Sequence, residues 1–381
     1  MLKQLCRLLY LTFILSSCSE PELQDPNPVI TKLDRLFEIE HQNNRFDGTV
    51  TIGNGDSILF QKSMGLSNRM WKIPTESTHR FDICSVNKSF IAALILIAAQ
   101  EDRLSLNDQL IVHLKPNTYQ GTFSPNITIH QLLCHTSGLP DYNQLDNEFS
   151  ENLFKKFKRM HFENSEYVNF ISLIPPMGPP NKQFHYSNFA YHLLTILLED
   201  VYQQSFSDIL TEKITKPLNL THTFSPVDHQ KLYKNMAEGY NYNPKQNTWK
   251  RNQFIDYTLG RRIFSTSYDL YLWGKEMGKP KVLSSQIVKQ MQTNYLKDIT
   301  PDISYGYGWV VFNGQKEYKM GNLEIDPTYI IHGGATEGYK SMLININHNE
   351  YIISFLANTG DQTQELNLSK KIAKILLNSK K

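Results

Sequence analysis

The sequence predicts an α/β (α+β) chain: an antiparallel sheet built from both termini, flanked by helices, with a mostly helical lobe inserted into it. Three observations predict it. Two strand-like runs, 48–53 and 57–64, lie near the start and surround Asn54-Gly55, a strong hairpin signal. Strand patterning returns only after Tyr305. Between them, from Leu104 to about Tyr257, the chain shows helical patches and long loops.

Taken in order, residues 30–41 carry apolar side chains at helical spacing, and the hairpin follows. Residues 90–99 form an unbroken apolar run, which demands burial. Pro175-Pro176-Met177-Gly178-Pro179-Pro180 is a loop, because proline removes a backbone donor and blocks helix. An apolar helix is expected over 189–198. Strands are expected over 308–312, 329–332, 341–346 and 351–357, with a turn at Asn347-His348-Asn349, and a closing helix over 369–377. The predicted organisation is an export segment over 1–17, a tether over 18–29 and one domain over 30–378, with the helical lobe at about 104–257.

The composition is globular: 381 residues, 40% hydrophobic and 20% charged. Without residues 1–17, which hold Lys3 and Arg7, 37 basic residues face 37 acidic ones. That balance, with no long basic run, argues against a nucleic-acid partner. Lys3 and Arg7 precede a short apolar run, 8–15, as in an export signal. The run is too short to span a bilayer. Leu15-Ser16-Ser17-Cys18 resembles the bacterial lipoprotein processing box. That resemblance implies lipidation of Cys18 and a place in the bacterial cell envelope, held at the membrane by the lipid. An ordinary cleaved signal is the alternative. Cys84 and Cys134 remain in the mature chain and are expected as buried free thiols. No C-x-x-C pair or H-E-x-x-H occurs, so neither a metal nor another cofactor has sequence support.

The chemistry starts at Ser85-Val-Asn-Lys88, which opens the apolar run. Residues three apart share a helix face, so Lys88 sits one turn from the Ser85 hydroxyl and can take its proton. Free N–H groups at the helix start favour an oxyanion. A second triplet, Tyr186-Ser187-Asn188, precedes the 189–198 helix. A tyrosine beside a lysine can hold or pass a proton, because a cation lowers its pKa. The Asn188 amide can accept from Lys88 and donate to a substrate carbonyl. Ser187 or Asn188 would equally suit a helix N-cap. A third motif, His332-Gly333-Gly334, ends an apolar strand. Its glycines mark close approach of a ligand or a second backbone. The strand edge after them can offer the Ala335 N–H to the oxyanion, and His332 can contact substrate or the Tyr186 proton path. A bulge with a solvent-facing histidine is the alternative.

In this order the three motifs resemble the S-x-x-K, Y-x-N and H-x-G boxes of the serine β-lactamase and penicillin-binding-protein superfamily, closest to its class C β-lactamase-like branch. The resemblance covers nearly all of residues 31–378. It extends to Leu132-Leu133-Cys134-His135-Thr136-Ser137-Gly138-Leu139-Pro140, to 265–270 and to 305–309, stretches read here as structural. It implies a β-lactamase/transpeptidase-like fold and an acyl-enzyme on Ser85, with Lys88 and Tyr186 as the base pair. It implies an oxyanion held by the N–H groups of Ser85 and Ala335. Asn188, His332, Gly334 and Ala335 then face the substrate, a small molecule or peptide.

The chain departs from dedicated β-lactamases, whose third box is Lys-Thr-Gly. The H-x-G form points to peptide, amide or ester bonds; a β-lactamase or DD-carboxypeptidase proper, or a catalytically silent surface module, are the alternatives. Asn181 replaces the usual glycine after the second-box proline, and asparagine tolerates the left-handed backbone such a turn needs. Arg261-Arg262 is open to two readings, a substrate-carboxylate contact or a solvated face. An α/β-hydrolase lipase is excluded, because no G-x-S-x-G elbow is present.

Overall fold

The computed structural model describes residues 27–114, 123–141, 161–172, 174–252, 260–314 and 317–378. The expected signal segment, with Cys18 and most of the tether, lies outside the described residues.

Six strands form one sheet, all of whose pairs are antiparallel. They are β1 (Gly48–Gly53), β2 (Ile58–Met64), β3 (Val310–Phe312), β4 (Tyr329–Thr336), β5 (Tyr339–Ile346) and β6 (Tyr351–Ala357). The order is β2-β1-β6-β5-β4-β3, so β1 from the N-terminal part pairs directly with β6 from the C-terminal part, Thr51 opposite Ser354. Both termini build the sheet, as the sequence predicts. The expected strand at 329–332 runs four residues further, through the two glycines. Gly333 pairs with Met342 and Gly334 with Ser341 without a bulge.

Both sheet faces are covered at its centre, which is why β5 and β6 read as largely continuous apolar runs instead of alternating ones. On one face, Met342, Ile344, Ile346, Ile353 and Phe355 meet α1 (Pro28–Gln42) and the closing helix α5 (Glu365–Asn378) through Leu33, Phe37, Ile372 and Leu376. On the other, Leu343, Ile352 and Leu356 belong to the core that α4 (Ser267–Glu276) covers, and α2 (Asn87–Gln100) and α3 (Asn188–Tyr202) pack together in the same core beyond it. Every residue of α2 from Lys88 to Leu96 is buried, as expected for a helix apolar all round. Trp273 of α4 stacks on Phe90 at 4.3 Å and donates its indole N–H to Ser89 Oγ at 2.9 Å.

Local chemistry sets the helix starts. The Asn27 side chain accepts from Val29 N, and Pro28 occupies a position where no donor is needed. Ser187 caps α3 by accepting from Ala190 N at 3.1 Å. One element differs from expectation: a hairpin of Tyr240–Asn243 and Thr248–Arg251 lies within the stretch read as helices and loops. Its strands are short and largely solvent-facing, so they leave no apolar alternation to detect.

Candidate active site

The three sequence motifs meet at one place. Ser85 is half-buried in a single 3₁₀ turn, Cys84–Val86, and α2 begins two residues later. The residue before the serine is held in the left-handed region, Cys84 φ +51°, a conformation that costs a non-glycine residue energy and needs support. The support is visible. The Cys84 N–H donates to Asp82 Oδ1 at 2.7 Å, and Arg262 Nη1 lies 2.8 Å from Asp82 Oδ2 in a buried ion pair. Ser341 Oγ donates to the Ile83 carbonyl at 2.6 Å, tying the same turn to β5.

Lys88 follows on the first turn of α2, 3% exposed. Its Nζ donates to Asn188 Oδ1 at 2.7 Å and lies 4.9 Å from the Tyr186 ring centre and 5.4 Å from that of Tyr191. Burial pulls the ammonium down to about 8, partly opposed by the Asp141 carboxylate. The helical spacing predicts Lys88 close to Ser85, and it lies on the turn of α2 that follows the serine.

Tyr186 lies beside Ser85, whose side chain favours its phenolate. Its pKa moves opposite to the sequence expectation. Burial, reinforced by the Asp141 carboxylate, pushes the phenol up, so the ring stays protonated. Asn188 takes the expected bond from Lys88, but its amide nitrogen is turned toward Asp141, 3.0 Å from Oδ1 and 3.1 Å from Oδ2. Donation from that nitrogen to a substrate carbonyl is therefore not its present engagement.

His332 lines the same region, its ring 6.4 Å from that of Tyr186, but both its nitrogens are occupied. Nδ1 lies 2.7 Å from the Gly333 carbonyl and so carries the proton, while Nε2 accepts from the Tyr305 hydroxyl at 3.1 Å. Burial and the Lys88 charge drop it to about 3, so it is a neutral imidazole. The solvent-facing alternative is excluded, since His332 is 3% exposed. Gly334 is buried against the Ser85 turn, and Ala335 beside it is exposed. Strand β3 pairs only with Tyr329, Ile330 and Ile331, so it does not cover the edge of β4 from His332 onward.

Neither reading of Arg261-Arg262 holds. Arg261 forks onto Glu199 at 2.8 and 3.1 Å, and Arg262 is buried on Asp82. Cys84 and Cys134 are free buried thiols, and Asn181 has φ +61°, the left-handed turn expected of it. Reasoning from the sequence missed Asp82 and Asp141, and it gave Arg262 and Tyr305 other roles. Asp141 directly follows the stretch ending at Pro140, and Tyr305 opens another such stretch, so position beside a motif was the available signal.

The profile of the Beta-lactamase family matches residues 33–376. Penicillin-binding protein 4* of Bacillus subtilis is 27% identical over 362 residues, covering 87% of this chain and 72% of its own. Protein flp of Staphylococcus aureus is 27% identical over 345 residues, and the match spans 63% of its length. The D-amino acid amidase from Ochrobactrum anthropi SV3 superposes with a TM-score of 0.73 at 18% identity, covering 93% of this chain and 100% of its own.

Proposed function

The chain belongs to the beta-lactamase family, and from that premise we propose that it is a serine hydrolase forming an acyl-enzyme on Ser85 with neutral esters and amides. The observation that carries the reading is the convergence of the Ser85 turn, Lys88 and Tyr186, with the Lys88 ammonium bonded to Asn188 at 2.7 Å.

Neutral Lys88 accepts the Ser85 proton, with the Tyr186 hydroxyl beside the serine. Tyr186 is not the base, since burial keeps its phenol protonated. Ser85 Oγ then attacks the substrate carbonyl. The N–H groups of Ser85 and Ala335 receive the oxyanion, each worth about 3–4 kcal/mol. As the intermediate collapses, the alcohol or amine leaves with a proton returned from Lys88, and water releases the acyl group by the same steps.

Substrate preference follows from the third box. A neutral His332 supplies no cation where Lys-Thr-Gly relatives place one, so a substrate carboxylate finds no charge there. Peptide and amide bonds of D-amino acids fit this reading, and the D-amino acid amidase of the same fold lends it support. We also propose a lipid anchor at Cys18, as the processing box suggests.

A hydrolysis panel tests the proposal. p-Nitrophenyl acetate and D-amino-acid amides should be turned over with higher kcat/KM than nitrocefin or a D-Ala-D-Ala peptide. Preference for the carboxylate-bearing pair would favour a β-lactamase or DD-carboxypeptidase, and no turnover with no labelling would favour a silent module.

A further inference from the structure

We infer that Asp141 is a positioning residue for the base: it fixes which end of the Asn188 amide faces Lys88. The inference rests on reading Ser85 and Lys88 as nucleophile and base.

A primary amide has a donor end and an acceptor end, and either can be turned toward a neighbour. In this site one neighbour is a carboxylate and the other a lysine. Asp141 Oδ1 accepts from the Asn188 backbone N–H at 3.0 Å and from its Nδ2 at 3.0 Å, and Oδ2 lies 3.1 Å from the same Nδ2. With the donor end held there, Oδ1 is left facing Lys88 Nζ at 2.7 Å. A flipped amide would set its carbonyl against the carboxylate and its NH₂ against the lysine, losing both bonds. The orientation matters for chemistry. A neutral lysine that gives one hydrogen to Asn188 keeps its lone pair free for the serine proton.

The loop that carries Asp141 is itself anchored to this end of α3. The Pro140 carbonyl accepts from Ser187 Oγ at 2.7 Å, and His135 Nδ1 accepts from the Ser187 N–H at 3.1 Å. The stretch read from sequence as structural thus delivers a carboxylate to the catalytic amide.

Asp141 also has an electrostatic part to play. The other ionisable groups around Lys88 are Cys84, His135, Tyr186, Tyr191 and His332. Burial keeps the thiol and phenols protonated and both histidines neutral. The Asp141 carboxylate, ahead of Cys84, favours the ammonium form of Lys88 against burial. Removing that charge lets Lys88 lose its proton at lower pH.

The test is the pH profile of kcat/KM for p-nitrophenyl acetate, an ester with no titrating group, using the purified chain. Asp141→Asn and Asp141→Ala should both move the acid limb to lower pH by about half a unit or more. Asp141→Ala should also lower the plateau roughly tenfold or more, because the amide loses its anchor. Asp141→Glu keeps the charge and should leave the limb in place. Melting curves establish that each variant is folded, and either neutral variant suffices. A folded neutral variant with the wild-type limb and plateau would overturn the inference. If instead wild type shows no serine labelling and no turnover, the reading of Ser85 fails, an outcome distinct from failure at Asp141.

Discussion

Gly334 and Ser85 are in backbone contact. A β-carbon on Gly334 would stand 2.6 Å from the Ser85 nitrogen, 2.6 Å from Cys84 Cβ and 2.5 Å from Ser341 Oγ. Strand β4 is therefore pressed against the turn that presents Ser85, and the second glycine of the third motif permits it.

Gly334→Ala should separate the strand from the turn and disturb the proposed oxyanion site. The expected loss in kcat/KM is roughly a hundredfold, with the sheet intact by circular dichroism. Wild-type turnover in the alanine variant would mean that the contact does not shape the reactive geometry.

Lys88 should set the pH dependence. Burial lowers it to about 8. The neutral form accepts the proton, so kcat/KM for a neutral ester should rise with pH through about 8 and then level. Lys88→Arg keeps the charge but cannot deprotonate, and should lose roughly 10²–10⁴-fold in rate. A steady-state pH series on both proteins decides this, and an active arginine variant would remove lysine as the base.

His332 should stay neutral with its proton on Nδ1. In ¹⁵N spectra of the ring, no titration is expected between about pH 5 and about pH 9, where a free histidine changes charge. Tyr305→Phe should alter the Nε2 shift, because it removes the bond at 3.1 Å. A ring titrating in that range would restore a cation to the third box and with it the case for carboxylate substrates.

The sheet and the site differed in how legible they were. Strand β6 matched the expected 351–357, because its apolar β-branched run is bounded by turn residues. The third motif was found and its glycines were read as marks of close approach, as Gly334 shows, but its strand was cut short at His332 because glycine weakens a strand pattern. Ser85, Lys88, Tyr186 and Asn188 were legible because each sits in a short motif at a helix start. The direction of the Tyr186 shift was not, because burial depends on the packing of His135, Tyr191 and Tyr305 around it. Asp82 and Arg262 are 180 residues apart and meet only in the folded chain.

Cys18→Ser should release the protein from the membrane fraction or block its processing, as the Leu15-Ser16-Ser17-Cys18 box suggests. Fractionation and mass spectrometry of the mature N-terminus check it. Unchanged fractionation with no lipid on the N-terminus would refute the anchor.

The most direct measurement is covalent labelling of Ser85. Residues 19–381 are incubated with a fluorophosphonate probe, weighed intact and mapped by peptide mass. One adduct is expected, on Ser85, and none on Ser85→Ala, which should melt as the wild type does and turn over no ester. An adduct elsewhere, or wild-type ester turnover by Ser85→Ala, would contradict the account.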